Sequence, residues 1–118
     1  GCKEAILYPH AALNQMIEDG AQRLSIPLHK GRVHSSDVFY HEENVNGYQT
    51  FHDQYHCDCV EMESFALFHN ANILHKQAAC LLTISDSFVS SEAASAKERQ
   101  TAFDDMFRLA LEAAITCD

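Results

Sequence analysis

With 118 residues, 47% of them hydrophobic and 21% charged, the chain has room for one domain with its own core, which excludes a disordered tail or a multidomain assembly. Seventeen acidic residues against eight basic ones give a formal charge of −9. No basic run occurs, so a phosphate backbone finds no clustered cations and nucleic acid is not an expected partner. No apolar stretch approaches the ~20 residues that cross a bilayer and the first residues lack a signal-peptide pattern, so no membrane partner is expected. Five irregularly spaced cysteines read as reduced thiols of a cytoplasmic protein.

In chain order, the first predicted element is a helix over 11–24, with Leu13, Met16, Ile17, Ala21 and Leu24 on one stripe and Gly20 as its weak point. Pro27 and Gly31 bracket the connection to a short strand at 32–34, and a polar loop follows over 41–48. A helix over 49–56, a strand over 57–63 and a helix over 64–75 come next, the last with Phe65, Phe68 and Asn72 along a face. Residues 78–84 form a continuous apolar run of strand length, the pattern of a strand buried on both faces of a parallel sheet. A small polar loop at 87–94 leads to the final helix. Ser95 and Glu98 form a capping box there, and Phe103, Met106, Phe107, Ala110, Leu111 and Ala114 keep helical spacing. Strands alternating with helices specify an α/β fold, a mainly parallel sheet flanked by helices, in a single domain over 1–118.

Ligands of open α/β sheets collect beyond the carboxyl ends of strands, and two predicted strands end in polar groups. One ends in Ser85 and Asp86, the other in Glu61, Met62 and Glu63. A period of two places Glu61 and Glu63 on the same side of their strand, where two carboxylates repel unless donors such as sugar hydroxyls or a cation face them. The bland alternatives are a strand reaching solvent with two hydrated acids, and a Ser-Asp pair that caps a turn. Arg99 lies one turn before Phe103 and shares the inward side of the last helix, where it can reach over the sheet ends or pair with a surface acid. Phe39 and Tyr40 either stack on a flat ligand or belong to the core.

His52, His56, Cys57 and Cys59 lie close together, and such ligands suit zinc. Cys57 and Cys59 alternate along a strand, however, and no second ligand pair has finger spacing. No metal site is therefore expected. His10, His29, His34, His69 and His75 form no pattern.

Four blocks carry a resemblance: residues 35–40 (SSDVFY), 60–64 (VEMES), 83–86 (TISD) and 98–106 (ERQTAFDDM). In this order and spacing the chain resembles the bacterial hexameric purine nucleoside phosphorylases of the nucleoside phosphorylase superfamily. The likeness covers nearly the whole chain from about His10, and only the C-terminal half of that family. The resemblance implies a partial nucleoside-phosphorylase-like fold and phosphorolysis of purine nucleosides to a free purine base and ribose 1-phosphate. It implies no cofactor, with phosphate as co-substrate, and a homo-oligomer. Position by position, it implies that Phe39 stacks on the purine with Tyr40 beside it, and that Val60 and Met62 line the base and ribose pocket. Glu63 would bind the ribose 2′ and 3′ hydroxyls with Glu61 close by. Asp86 would be the general acid that protonates N7, with Ser85 adjacent, and Arg99 would swing toward Asp86 as its helix closes.

The residue types suit that chemistry. Cleaving the glycosidic bond puts positive charge on the ribose and negative charge on the departing purine, so a carboxylate belongs near the sugar and a protonated acid near the base. The family's first half supplies the glycine and arginines that hold phosphate, and a histidine lent by a neighbouring subunit. Here Arg23, Arg32, Arg99 and Arg108 are the only arginines, and none lies in a glycine-rich loop. The chain thus reads as a fragment or a truncated product with half a site and an unpaired sheet edge. The loop between Tyr40 and Glu61 looks slightly longer than the family's. One rival in the same fold is a methylthioadenosine/adenosylhomocysteine nucleosidase, which uses water in place of phosphate. Uridine phosphorylase shares the Glu-Met-Glu-Ser block, but Asp86 favours a purine. A rival of another class is a non-catalytic module that self-associates or binds a partner through its open edge.

Overall fold

The computed structural model describes residues 6–37, 52–86 and 95–117. Its elements are helix α1 (Ala11–Leu24), strand β1 (Arg32–Ser35), strand β2 (Cys57–Glu61), helix α2 (Ser64–Ile73) and helix α3 (Ala96–Thr116). They fall into two compact units, one of residues 1–7 and 29–76, the other of residues 8–28 and 77–118. The mixture of helices with a parallel strand pair is the α/β class expected from the alternating pattern.

In the first unit β1 and β2 run parallel, with Arg32 opposite Cys57, Val33 opposite Cys59, His34 opposite Val60 and Ser35 opposite Glu61. The step from Arg32 to Val33 spans two residues of β2, so Asp58 is the extra residue of a bulge. Its carboxylate accepts from the Arg32 N–H at 3.2 Å and lies 3.6 Å from His29 Nε2. Gly31 leaves the space for this, because a Cβ there would collide with the Asp58 carboxylate. Residues 52–55 are helical, matching part of the helix expected over 49–56, whose first three residues lie outside the described ones. The strand expected over 57–63 stops at Glu61.

The second unit is built on α1 and α3. His10 caps α1 by accepting the Leu13 N–H on Nδ1 at 3.3 Å, and Ser25 closes the helix in the left-handed conformation at φ 55°. Ser95 Oγ accepts the Glu98 N–H at 3.1 Å, as the capping-box sequence specifies. The core joins Ile17 and Ala21 of α1 to Leu109 and Ala113 of α3, with Ile26, Ala79 and Leu81 packed against it.

Two expectations need correcting here. On α3 the apolar residues singled out by spacing include Phe107 and Leu111, which are 55% and 65% exposed, whereas Leu109 is 1% exposed. The helix carries apolar residues on two faces, and close approach to α1 decides which is buried. Gly20 allows that approach: a Cβ there would stand 3.3 Å from Leu109 Cδ1, so the predicted weak point is a packing contact. The second correction concerns the run 78–84, which joins no ladder among the described residues and is covered on one side only. Ala79 and Leu81 face the helices, and the Thr83 hydroxyl lies 3.3 Å from Met106 Sδ, while Leu82 and Ile84 are exposed. Apolar composition specifies the wish for burial but supplies no neighbouring strand. Among the described residues no helix is long and apolar enough to cross a membrane.

Candidate functional site

Among the described residues of the first unit, several polar groups meet at the end of β2. Val60 and Glu61 are half-buried, and the chain then leaves the strand through Met62 and Glu63, both exposed, into α2. Glu61 causes the turn. Its Oε2 accepts the backbone N–H of Glu63 at 2.5 Å and that of Ser64 at 2.8 Å, and its Oε1 accepts the Ser64 hydroxyl. The first N–H groups of a helix have no partner within it, and here a carboxylate just ahead of the helix accepts two N–H groups at its start, those of Glu63 and Ser64. Ser35, at the end of β1, bonds the same carboxylate and accepts the Phe65 N–H on its Oγ at 3.3 Å. The Ser36 N–H donates to the Glu61 carbonyl at 2.9 Å, which fixes the strand ends to each other.

Burial raises the Glu61 carboxyl pKa, but the Ser64 hydroxyl, the Glu63 and Ser64 N–H groups and the Ser35 hydroxyl outweigh it, so the net displacement is downward. Glu61 is held as a carboxylate. Glu63 differs: it is the N-cap residue, at φ −128° and ψ −24°, and its side chain makes no capping bond. The two acids expected side by side on one strand are therefore separated in role. Glu61 turns back to the backbone, and Glu63 stands exposed beyond the strand end, since the bonds drawn in by Glu61 end the strand before residue 63.

Ser85, half-buried, and Asp86, exposed, follow the Thr83 contact in the second unit. Arg99 is half-buried in the first turn of α3, where its N–H donates to the Ser95 carbonyl at 2.9 Å. Phe39 and Tyr40 lie outside the described residues. Ser35 and Ser64, which complete the arrangement around Glu61, were not singled out in the sequence. The available sign was an acid placed just before a helix start, a position where orphan N–H groups need acceptors.

Of the four residues that raised the question of zinc, His52 and Cys57 lie against each other at the start of β2. His52 Nδ1 lies 3.1 Å from the Cys57 carbonyl. Burial pushes the Cys57 thiol pKa up against the opposing pull of Arg32, with Asp58 adding to the rise. Among the described residues no group of three or more His, Cys, Asp or Glu is arranged to hold a metal ion.

Comparison with known proteins gives the site its context. Residues 3–117 match the family described as the Phosphorylase superfamily. A protein of Mycoplasma genitalium named purine nucleoside phosphorylase DeoD-type is 36% identical over 110 residues, covering 93% of this chain and 45% of the relative. Proteins of the same name from Dichelobacter nodosus and Oceanobacillus iheyensis are 37% and 39% identical over 106 and 88 residues. These alignments cover 90% and 75% of this chain, and 44% and 37% of those relatives. The chain spans a little under half the length of the curated relatives it matches.

Proposed function

This chain belongs to the Phosphorylase superfamily, and from that premise we propose that it supplies the base- and ribose-binding side of a purine nucleoside phosphorolysis site. It corresponds on this reading to the C-terminal half of such an enzyme. The observation that carries the reading is the match to relatives of that name across nine-tenths of the chain. The exposed, uncapped position of Glu63 at the β2 end supports it.

In this reading Glu63 accepts hydrogen bonds from the ribose 2′ and 3′ hydroxyls, and its charge favours the cationic character that the sugar develops. Val60 and Met62 offer apolar surface to the sugar and base, and Phe39 and Tyr40 stack on the purine. The C1′–N9 bond breaks with its electron pair moving onto the purine. Asp86, with Ser85 adjacent, delivers a proton to N7, which neutralises the leaving base, and Arg99 promotes that transfer. A phosphate oxygen forms the new bond to C1′, giving ribose 1-phosphate. Phosphate is the co-substrate and no further cofactor takes part. Assembly into a homo-oligomer belongs to the same reading.

The test is inosine and methylthioadenosine binding and cleavage by the purified chain, with and without phosphate. Inosine binding with phosphate-dependent hypoxanthine release supports the reading, and Asp86→Asn should lower that rate by about a hundredfold or more. Phosphate-independent release of adenine from methylthioadenosine would point instead to a hydrolytic nucleosidase. Failure to bind either nucleoside would overturn the reading.

A further inference from the structure

Of the two acids at the end of β2, only one has a carboxylate free of backbone duties. Glu61 spends both oxygens within the protein: Oε2 on the Glu63 and Ser64 N–H groups, Oε1 on the Ser64 hydroxyl, with Ser35 of β1 bonded to the same carboxylate. Ser64 is itself buried, so its hydroxyl is shielded from water and needs this acceptor. The Glu63 N–H held by Glu61 lies on the backbone unit that carries the Glu63 side chain. Holding that N–H together with the Ser64 N–H fixes the torsions of residue 63, and with them the direction in which its side chain leaves the chain.

We propose that Glu61 is a positioning residue: it orders the turn between β2 and α2 so that Glu63 is presented to the ribose, and it does not itself touch the nucleoside. This rests on the reading of Glu63 as a ribose ligand. Two features set Glu61 apart from a second sugar ligand. Its oxygens already face four donors, two backbone N–H groups and two hydroxyls, and a charged acceptor between two backbone N–H groups gives up those bonds only at a cost that a neutral sugar hydroxyl does not offset. The lock also ties β1, β2 and α2 to one carboxylate, so the direction of Glu63 is set by the strand ends and not by the helix alone. Positioning of this kind matters because a small misplacement of a binding group costs affinity even when its chemistry is intact.

The test uses the 118-residue chain with inosine as probe, read by titration calorimetry, together with amide hydrogen exchange at Glu63 and Ser64. Glu61→Ala should speed exchange at both amides by about tenfold or more and weaken inosine binding by a similar factor. Glu61→Gln, which keeps one acceptor oxygen, should recover most of both. Ser64→Ala, a milder change that keeps the fold should Glu61→Ala not, should raise exchange and weaken binding by about threefold. Glu63→Gln should weaken binding with exchange unchanged. Weaker binding in the Glu61 variants with unchanged exchange would overturn the proposal in favour of direct contact with the sugar. Faster exchange with unchanged affinity would overturn it by showing that the lock serves stability alone. Absence of inosine binding by the unaltered chain would refute the ligand reading and the proposal with it. An unaltered affinity in Glu63→Gln would also remove both.

Discussion

The corner at the end of β2 and the α1/α3 pair are ordered by opposite means. At the corner a single carboxylate gathers two backbone N–H groups and two hydroxyls, and the residues on either side, Val60 and Met62, are half-buried and exposed. In the helix pair the contact is apolar and close, with Ile17 and Ala21 against Leu109 and Ala113 and a glycine at the nearest approach. Hydrogen bonds fix direction, whereas apolar burial is non-directional and supplies stability. A side chain that must aim at a sugar belongs on the first kind of scaffold; a helix that must only stay in place is served by the second.

That contrast can be broken most forcefully at Leu109. Leu109→Ala removes the most deeply buried side chain among the described residues and should cost about 2–5 kcal/mol in urea unfolding. A loss below about 1 kcal/mol would mean that apolar packing does not hold the helix pair. Gly31→Ala probes the polar side at the bulge. The new methyl group displaces the Asp58 carboxylate from the Arg32 N–H, for an expected loss of about 1–2 kcal/mol. Because Asp58→Ala removes the same bond, the double variant should lose less than the sum of the singles.

Acid titration sharpens the role of Glu61. Its folded pKa lies below the unfolded value, so its contribution to stability is complete above the usual glutamate range of about 4.3 and disappears as pH falls through the folded value. Urea midpoints followed downward from pH 5 should therefore fall less steeply for Glu61→Gln than for the unaltered chain. Equal slopes would separate Glu61 from acid sensitivity. The smallest effect is expected at Arg23, whose Nε lies 3.0 Å from Glu112 Oε1 with both side chains partly in water. Arg23→Ala should cost at most about 1 kcal/mol, and less at high salt, confirming that polar contacts at the edge of the helix pair contribute little.

The sequence carried the two long helices and the N-terminal cap of α3, because spacing and capping are local properties. α1 spans the predicted residues, and Ser95 performs its part of the capping box. The strand at 32–34 and the one beginning at Cys57 were legible as short β-prone segments between turn residues, though their parallel register was not. At the site, the block from Val60 to Glu63 was visible as polar groups at a strand end. Its division into one inward-turned acid and one exposed acid was not, because that depends on Ser35, which is 26 residues away from Glu61 in sequence and opposite it in the sheet.

Composition, charge and periodicity by themselves thus determined a chain able to form a core, its α/β character and the positions of its helices, all consequences of interactions between near neighbours. Only tertiary structure decided which face of α3 is buried, that the run 78–84 is covered on one side, and that Glu61 ends its strand by capping α2. Each of those outcomes is a choice between faces or partners that are locally equivalent. Such a choice is made when a distant segment arrives to exclude water from one face or to complete one set of hydrogen bonds.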